Sequence, residues 1–424
     1  MKEDFLHHVW RHKLFDQSDL KTTGGRDISI VKEGYHNHDA GPDFSQAKII
    51  IDEIEWNGNV EIHINASDWY NHQHQSNPAY ENVILHVVWK NDKEVTFTND
   101  EAIPCLELQE RVSPELVHNY KSLILNQSWV ACENNLESIN HDKIKLWLNS
   151  IAIERLNIKS NEIIQDLDES TNHWEMVFCK SLFRAFGLKV NQDAFTYLFE
   201  SIPFEKMIQL ASDVIKLEAL LYGQAGFLSG KYQDQYPQIL RKEYLFLKHK
   251  YSLEAIAINY WKFARMRPAN FPTVRIAQLC QLLSKHPSLF QKILEYDTKG
   301  IKSLFEGIMT SSYWESHYRF DESSKEIKKK LGKSRVDLIL INAVAPAIFT
   351  YGKIKNDDLL INKALELLES IPAENNSILT KWSNLGIESK SALESQSLIH
   401  LKKYYCDHYK CIQCQIGVTI ISQI

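Results

Sequence analysis

The spacing of apolar residues changes along this 424-residue chain, and the change divides it into two parts. Up to about residue 125, short runs of β-branched and aromatic residues alternate with turn residues, which is typical of strands. From Pro114 onward, apolar residues recur at the i, i+3, i+4 spacing of helices. Glycine (15 residues) and proline (11 residues) are both scarce, which disfavours an all-β fold.

We therefore predict an α+β protein. Residues 1–125 form a small domain with an early helix (3–13) and a mixed β-sheet, and residues 126–424 form a large all-helical domain. The predicted strands cover residues 27–31, 44–51, 59–64 and 83–89, with possible edge pieces at 96–97 and 105–108. The clearest predicted helices cover residues 144–167, 174–186, 204–221, 237–249, 275–283, 359–368 and 393–405.

Composition limits the location and the partners of the chain. No apolar run approaches the roughly 18 residues needed to cross a bilayer, and the N-terminus lacks the pattern of a secretory signal. The seven cysteines do not form the pattern of a disulfide framework. We therefore predict a cytoplasmic protein without a membrane partner. The net charge of −6 argues against a uniformly basic nucleic-acid-binding surface.

Residue types that bind metals cluster in the predicted sheet domain, where six of the 17 histidines lie between residues 36 and 86. Within the predicted strand 59–64, Glu61 and His63 are two residues apart and point to the same face, while the apolar residues beside them enter the core. Asp43 begins the preceding predicted strand. If the two strands pair as a hairpin, these three side chains meet at one side of the sheet.

Two carboxylates, Asp43 and Glu61, bind a hard cation such as Mg²⁺ or Mn²⁺ and leave positions for water and a phosphate oxygen. The metal lowers the pKa of the attacking water, and His63 positions or deprotonates that water. The motifs Pro42-Asp43 and Glu61-Ile62-His63 resemble those of the PD-(D/E)XK nuclease superfamily, with His63 in place of the usual lysine. This resemblance implies a restriction-endonuclease-like αβββαβ core and metal-dependent cleavage of nucleic acid.

Further polar residues are candidates for supporting this site, namely His36, His38, Asp68, His72, His74 and His86. Two other interpretations stay open. A strand that presents glutamate and histidine outward is often only a solvated face. Alternatively, the His-X-His pairs at 36/38 and 72/74 bind Zn²⁺ in a hydrolase, although residues 70–75 resemble an exposed turn.

A basic, aromatic segment lies in the predicted helical domain. Between Lys248 and Lys292 there are eight basic residues and one acidic residue. Two prolines predict an extended loop at its centre. Arg265, Arg267 and Arg275 offer forked donors to phosphates, and neighbouring aromatic rings offer stacking surfaces for bases. The alternative is a buried loop whose arginines pair with acidic residues of the first domain.

Three of the seven cysteines, Cys406, Cys411 and Cys414, lie in the last twenty residues. Cys411 and Cys414 form a C-X-X-C pair, whose two thiolates readily converge on Zn²⁺. The fourth ligand of this predicted structural zinc site is His408 or Cys132. Unligated thiols and an iron–sulfur cluster are the alternatives.

Most of the chain resembles an uncharacterised bacterial family of unknown function. The stretches that carry this resemblance are GPDF (41–44), GNVEIH (58–63), SDW (67–69), LHVV (85–88), RMRPANFP (265–272) and CIQC (411–414). The resemblance transfers no activity. From the residues we predict a metal-dependent phosphodiesterase that acts on nucleic acid, and the competing class is a non-catalytic scaffold that binds nucleic acid or protein.

Overall fold

The strand-like runs near the N-terminus form one mixed sheet in the structure, a computed structural model that describes residues 1–37, 39–98 and 100–422. Most of the remaining chain is helical, so the predicted α+β class is confirmed. The strands of the sheet are β1 (Ile28–Lys32), β2 (Tyr35–His36), β3 (Phe44–Ile51), β4 (Ile54–Asn65), β5 (Val83–Lys90) and β6 (Cys105–Glu107).

Helix α1 (Glu3–Arg11) precedes the sheet, whose strand order is β1-β3-β4-β5-β6, with β2 also pairing with β3. Neighbours among β1, β3 and β4 are antiparallel, whereas β4, β5 and β6 run parallel. Asp52 and Glu53 join β3 to β4 with φ angles of 49° and 68°, as expected for a two-residue hairpin turn. The connection from β4 to β5 contains a short helix, α2 (Asp68–Asn71).

A β-bulge decides which residues of the β3–β4 hairpin share a face. The register shifts by one residue near the start of β3, where Gln46 has a φ of 56°. As a result, Phe44 pairs with Val60. Because side chains alternate along a strand, Asp43 then lies on the opposite face, which is that of Glu61.

Helices make up most of the rest of the chain. They are α3 (Pro114–Leu125), α4 (His141–Glu169), α5 (Trp174–Glu200), α6 (Phe204–Leu210), α7 (Val214–Gln224), α8 (Gln235–Tyr251), α9 (Pro272–Lys285), α10 (Leu289–Glu295), α11 (Thr298–Phe305), α12 (Lys333–Ile339), α13 (Ala345–Lys355), α14 (Asp358–Glu369), α15 (Ser377–Asn384), α16 (Ala392–Tyr404) and α17 (Gln415–Ile421). A small hairpin of β7 (His317–Arg319) and β8 (Glu322–Ser323) lies between α11 and α12.

The chain divides into two units by its internal contacts. Unit 1 comprises Met1–Trp147, Asn384–Gly386 and His400–Ile424, and unit 2 comprises Leu148–Ser383 and Ile387–Ile399. The predicted helical domain, 126–424, included the cysteine-rich C-terminal segment, yet this segment belongs to unit 1, where α17 packs against α3. Local periodicity cannot reveal such a contact between distant parts of a chain.

Two predicted elements differ from the observed ones in an instructive way. Strand β4 begins at Ile54, five residues before the predicted start, because polar residues and Gly58 obscure the strand pattern there. The helix predicted at 204–221 is two helices, α6 and α7. The side chain of Asp213 accepts a hydrogen bond from the backbone N–H of Lys216, and this N-cap starts α7 anew.

One helical stretch, Lys333–Lys355, is long and apolar enough to span a membrane by length and composition alone. However, 67% of its most apolar window is buried inside the protein. Burial of this kind is expected for the central helix of a soluble protein, which passes the same test of length and hydropathy.

Unit 2 contains a buried carboxyl group, Glu218 in α7, whose side chain has no exposed surface. The hydroxyl of Tyr236 donates a hydrogen bond to its Oε2 at 2.5 Å, and Ser311 also forms a hydrogen bond with the carboxyl group. Burial raises the pKa of Glu218 to about 7. The folded state therefore holds this proton more tightly than the unfolded state does, so that stability falls as the pH rises from about 4.5 to about 7.

We predict that Glu218→Gln removes this loss of stability, which is about 3 kcal/mol once the pH exceeds 7. The thermal unfolding midpoint of the variant, relative to wild type, is expected to rise between pH 5 and pH 8. The exposed Glu326→Gln serves as the control and should follow wild type at each pH. A difference between Glu218→Gln and wild type that stays constant with pH would contradict the prediction.

Candidate metal centre

Strand alternation places four polar side chains on one face of the sheet. Asp43 directly precedes β3, Glu61 and His63 are two residues apart in β4, and His86 of β5 pairs with Glu61 in the parallel register. The exposed fractions of Glu61, His63 and His86 are 4%, 1% and 0%. This polar face is therefore buried, and the interpretation of a merely solvated strand face does not describe it.

Asp43 and Glu61 connect the two strands by reciprocal hydrogen bonds. The backbone N–H of Asp43 donates to Glu61 Oε2 at 3.1 Å. The backbone N–H of Ile62 donates to Asp43 Oδ2 at 3.0 Å. The structure thus brings together the two carboxylates that the sequence suggests as metal ligands.

The chain after β4 brings two further histidines to His63. Gln73 adopts a left-handed conformation with a φ of 60°, between His72 and His74. Nε2 of His63 lies 3.1 Å from Nδ1 of His72, and the ligand atoms of the three histidines all lie within 4.8 Å of one another. Oε1 of Glu61 lies 3.1 Å from Nε2 of His74 and 3.5 Å from Nε2 of His63.

The three distances of 3.1, 3.1 and 3.5 Å between these ligand atoms match those between the ligands of one metal ion. Neighbouring ligand atoms of a tetrahedral zinc site lie about 3.3 Å apart, since its bonds are about 2.0–2.1 Å long. Three imidazoles and a carboxylate suit Zn²⁺ or Mn²⁺ better than Mg²⁺, which prefers oxygen ligands alone. His72 is exposed whereas His63 is buried, so one side of the cluster is open to water.

His86 contacts the cluster through the ring of His63. Its Nε2 lies 2.8 Å from Nδ1 of His63, and its ring contacts that of Trp69 at a centroid distance of 5.4 Å. When Nδ1–H of His63 donates to His86, Nε2 of His63 carries the lone pair that faces His72 and Glu61. This is the tautomer that binds a metal, and a hydrogen bond of this kind fixes both the tautomer and the ring orientation.

The electrostatics keep the inner histidines neutral. Burial, together with the neighbouring histidines, lowers the pKa of His63 to about 2. Burial and the charge of His74 lower the pKa of His86 to about 3. Burial raises the pKa of Glu61, although a hydrogen bond with His74 opposes this shift. At neutral pH, His63 and His86 therefore each keep a nitrogen lone pair.

Helix α1 adds two residues that the sequence analysis missed. Nε2 of His7 lies 3.3 Å from Oδ2 of Asp43. Burial lowers the pKa of His7, but the hydrogen bond and the charge of Asp43 outweigh it, so the net shift is upward. Burial raises the pKa of Glu3, whose strongest interactions with other charged groups include those with His72 and Asp43. The i, i+4 spacing of Glu3 and His7, which share a helix face, was the available signal.

Asp68 holds the turn that carries the exposed histidine of the cluster. Its Oδ2 accepts a hydrogen bond from the backbone N–H of Asn65 at 3.0 Å. Its Oδ1 accepts one from Nδ2 of Asn71 at 3.0 Å. These hydrogen bonds fix the chain between β4 and His72, and a supporting role of Asp68 at a metal site stays a prediction.

His36 lies at the edge of the centre. Its ring stacks on that of Phe44 at a centroid distance of 4.9 Å and contacts the ring of His7 at 5.3 Å. His38, the other member of the first His-X-His pair, lies outside the described residues. These contacts place His36 beside α1 and β3, where it pairs with Phe44, the residue that follows Asp43.

The three arginines of the basic segment occupy different environments in unit 2. Arg265 and Arg267 are exposed in the loop between α8 and α9. Arg275 is only 5% exposed and donates hydrogen bonds to Gln278 at 2.6 Å and to Asn270 at 2.7 Å. Burial lowers the pKa of Arg275 to about 9. Arg275 thus stabilises this loop from inside, which leaves Arg265 and Arg267 as the surface residues.

The cysteines of the predicted zinc site all belong to unit 1. Cys132, Cys406, Cys411 and Cys414 line one cavity. His408 is exposed and lies outside the residues that line it. Of the two fourth ligands that the sequence left open, the structure brings Cys132 to the C-terminal cysteines.

The fold and the cluster together define an α+β protein in which three histidines lie close enough to one another to hold a metal ion, beside a buried carboxylate. Residues 3–377 match the family described as "Protein of unknown function (DUF2851)", and the chain belongs to this family. The resemblance to a family of unknown function is therefore confirmed. No curated protein and no solved structure matches the chain.

We predict that the cluster binds Mn²⁺, and that His72→Ala abolishes this binding because it removes a ligand. His86→Leu should weaken the affinity by about 10–100-fold, since it removes the group that orients His63. Isothermal titration calorimetry measures both effects. Mn²⁺ is the appropriate probe because thiolates select softer ions.

The exposed His118→Ala in α3 is the matched control and should bind Mn²⁺ as wild type does. Equal Mn²⁺ affinity in wild type, His72→Ala and His86→Leu would show that these histidines do not form a metal centre.

Proposed function

We propose that the protein is a metal-dependent phosphodiesterase that cleaves nucleic acid at the face of its N-terminal sheet. The observation that carries this proposal is the convergence of His63, His72 and His74 with Glu61, beside the carboxylate of Asp43. Residue types that ligate metals thus meet at a place that is buried on one side and open at His72.

The nature of the donors decides which ion this centre favours. The sequence suggested Mg²⁺ or Mn²⁺ at Asp43 and Glu61, and alternatively Zn²⁺ at the paired histidines. With three imidazoles close to Glu61, the set favours Mn²⁺ or Zn²⁺. The two interpretations thereby merge into one centre, in which His63 is a ligand instead of the residue that activates water.

In this proposal the bound ion supplies a Lewis acid and lowers the pKa of a water molecule. The protein's own residues perform the other tasks. The ion would be held by Glu61, His63, His72 and His74, and His86 orients His63. Asp43, which is half-buried beside Glu61, accepts the proton of the attacking water. The open side at His72 admits the substrate.

The order of elements in unit 1 also supports the proposal. Apart from the two-residue strand β2 between β1 and β3, the order along the chain is a helix, three antiparallel strands (β1, β3 and β4), a short helix and a parallel strand (β5). This is the αβββαβ order that the nuclease resemblance implied. Asp43 precedes the second of the three antiparallel strands, and Glu61-Ile62-His63 lies on the third.

Nucleic acid is the proposed substrate class, and the exposed Arg265 and Arg267 are the proposed contacts to its phosphates. Aromatic residues of the same loop, including Tyr260, are exposed and available to stack on bases. The proposal places the protein in the cytoplasm.

The test is a cleavage assay with single-stranded and double-stranded DNA and RNA, in the presence of Mn²⁺, Zn²⁺ or Mg²⁺. Glu61→Gln and His72→Ala should each lower the rate by about a hundredfold or more, because they remove ligands of the ion. Asp43→Asn should lower the rate by about 10²–10⁴-fold while metal affinity stays close to that of wild type, since it removes the proton acceptor.

His118→Ala is again the control and should cleave as wild type does. Cleavage that survives Glu61→Gln and His72→Ala comes from another site or a contaminant and overturns the proposal. If no substrate is cleaved with any of the three ions, the non-catalytic scaffold becomes the better description.

A further inference from the structure

Four cysteines from distant parts of the chain meet in unit 1. Cys132 lies between α3 and α4, and Cys406, Cys411 and Cys414 lie between α16 and α17. All four are free thiols, and they line one cavity.

The backbone around the C-X-X-C pair is shaped so that both thiols reach this cavity. A single 3₁₀ turn, Cys411–Gln413, carries the first cysteine, and Cys414 follows it directly before α17. Gly417 packs so closely here that an added Cβ would clash with the carbonyl oxygen of Cys411. The backbone N–H groups of Ile416 and Gly417 donate hydrogen bonds to the sulfur of Cys414. Burial raises the pKa of the Cys414 thiol, and these hydrogen bonds oppose that shift without reversing it.

We propose that Cys132, Cys406, Cys411 and Cys414 bind one structural Zn²⁺. Zinc binds four thiolates in a closed tetrahedral site with Zn–S bonds of about 2.3 Å. Each thiol gives up its proton to solvent when the corresponding Zn–S bond forms, so binding releases one proton for each cysteine that enters as a thiol.

Ligand identity and metal content separate this site from its alternatives. An iron–sulfur cluster bound by the same cysteines would contain iron and sulfide, which chemical analysis distinguishes from zinc. A Cys₃His site would need His408, which is exposed and does not line the cavity. Four thiolates fill all positions of a tetrahedral zinc ion, so this site leaves no position for substrate and is structural.

The site would fasten the C-terminal segment to the rest of unit 1. Cys132 follows α3, and α17, which begins directly after Cys414, packs against α3. One zinc ion therefore joins two segments that are far apart in sequence. Such a link stabilises a fold because the unfolded chain does not hold the four ligands together.

The experiment is metal analysis of the full chain purified under anaerobic conditions, with iron and acid-labile sulfide measured in the same samples. We expect tightly bound zinc, and Cys132→Ser and Cys411→Ser should each lose one equivalent. His408→Ala, and Cys105→Ala in β6, are the controls and should retain it. His72→Ala should also retain it, which distinguishes this zinc from an ion at the histidine cluster.

Two further measurements keep the proposal testable if a serine variant folds poorly. Cys406→His offers zinc another ligand and should retain the metal where Cys406→Ser loses it. Wild-type protein reconstituted with Co²⁺ should show the absorption of tetrahedral cobalt–thiolate coordination. Iron with sulfide, zinc retained by Cys132→Ser, or zinc lost from His408→Ala would each overturn the four-cysteine zinc site, as would a wild-type chain without metal.

Discussion

The reciprocal hydrogen bonds of Asp43 and Glu61 are the constraint on which the candidate centre depends. Each carboxylate accepts a backbone N–H from the opposite strand, so the two acidic groups connect β3 to β4 and at the same time face the histidines. This arrangement requires the extra residue at Gln46, because side chains alternate along a strand. Without it, Phe44 would turn towards the polar face and Asp43 towards the apolar core.

Burying this polar face costs free energy, and the hydrogen bonds within the protein offset only part of that cost. Buried polar groups require partners, and charged ones require a compensating charge. Among the residues that the structure describes, none forms a hydrogen bond with Nδ1 of His86. Burial also makes it costly both to ionise Glu61 and to protonate His63. A cation between Glu61 and the histidines compensates the carboxylate and uses the lone pairs of neutral imidazoles. The arrangement is easier to explain as a metal centre than as a core that gained histidines without a role.

The sequence predicted the parts of this centre that follow local periodicity. Glu61 and His63 share a face because they are two residues apart in a strand. The predicted hairpin brings Asp43 beside them, but Asp43 shares their face only because of the bulge at Gln46, which the sequence did not reveal. The positions of His72 and His74 were not predictable in this way, since they depend on the left-handed Gln73 in a turn without periodicity. The partners that come from distant elements were only partly predictable. The sequence offered Cys132 and His408 as partners of the C-terminal cysteines, and the tertiary contacts select Cys132. Glu3 and His7 share a helix face, but the sequence does not show that this face lies beside Asp43.

The two candidate metal sites of unit 1 differ in chemistry, and the difference decides which of them can react. Four thiolates would select a soft or borderline ion and occupy every position around it. The histidine–carboxylate cluster also offers four donors, but it is open to solvent at His72. An ion such as Mn²⁺, which accepts more than four ligands, would keep a position for water there. An open site also exchanges its ion more readily, so its occupant depends on the metals available. In the proposed function, hydrolytic chemistry therefore belongs to the sheet face, and the zinc ion proposed at the cysteines contributes stability.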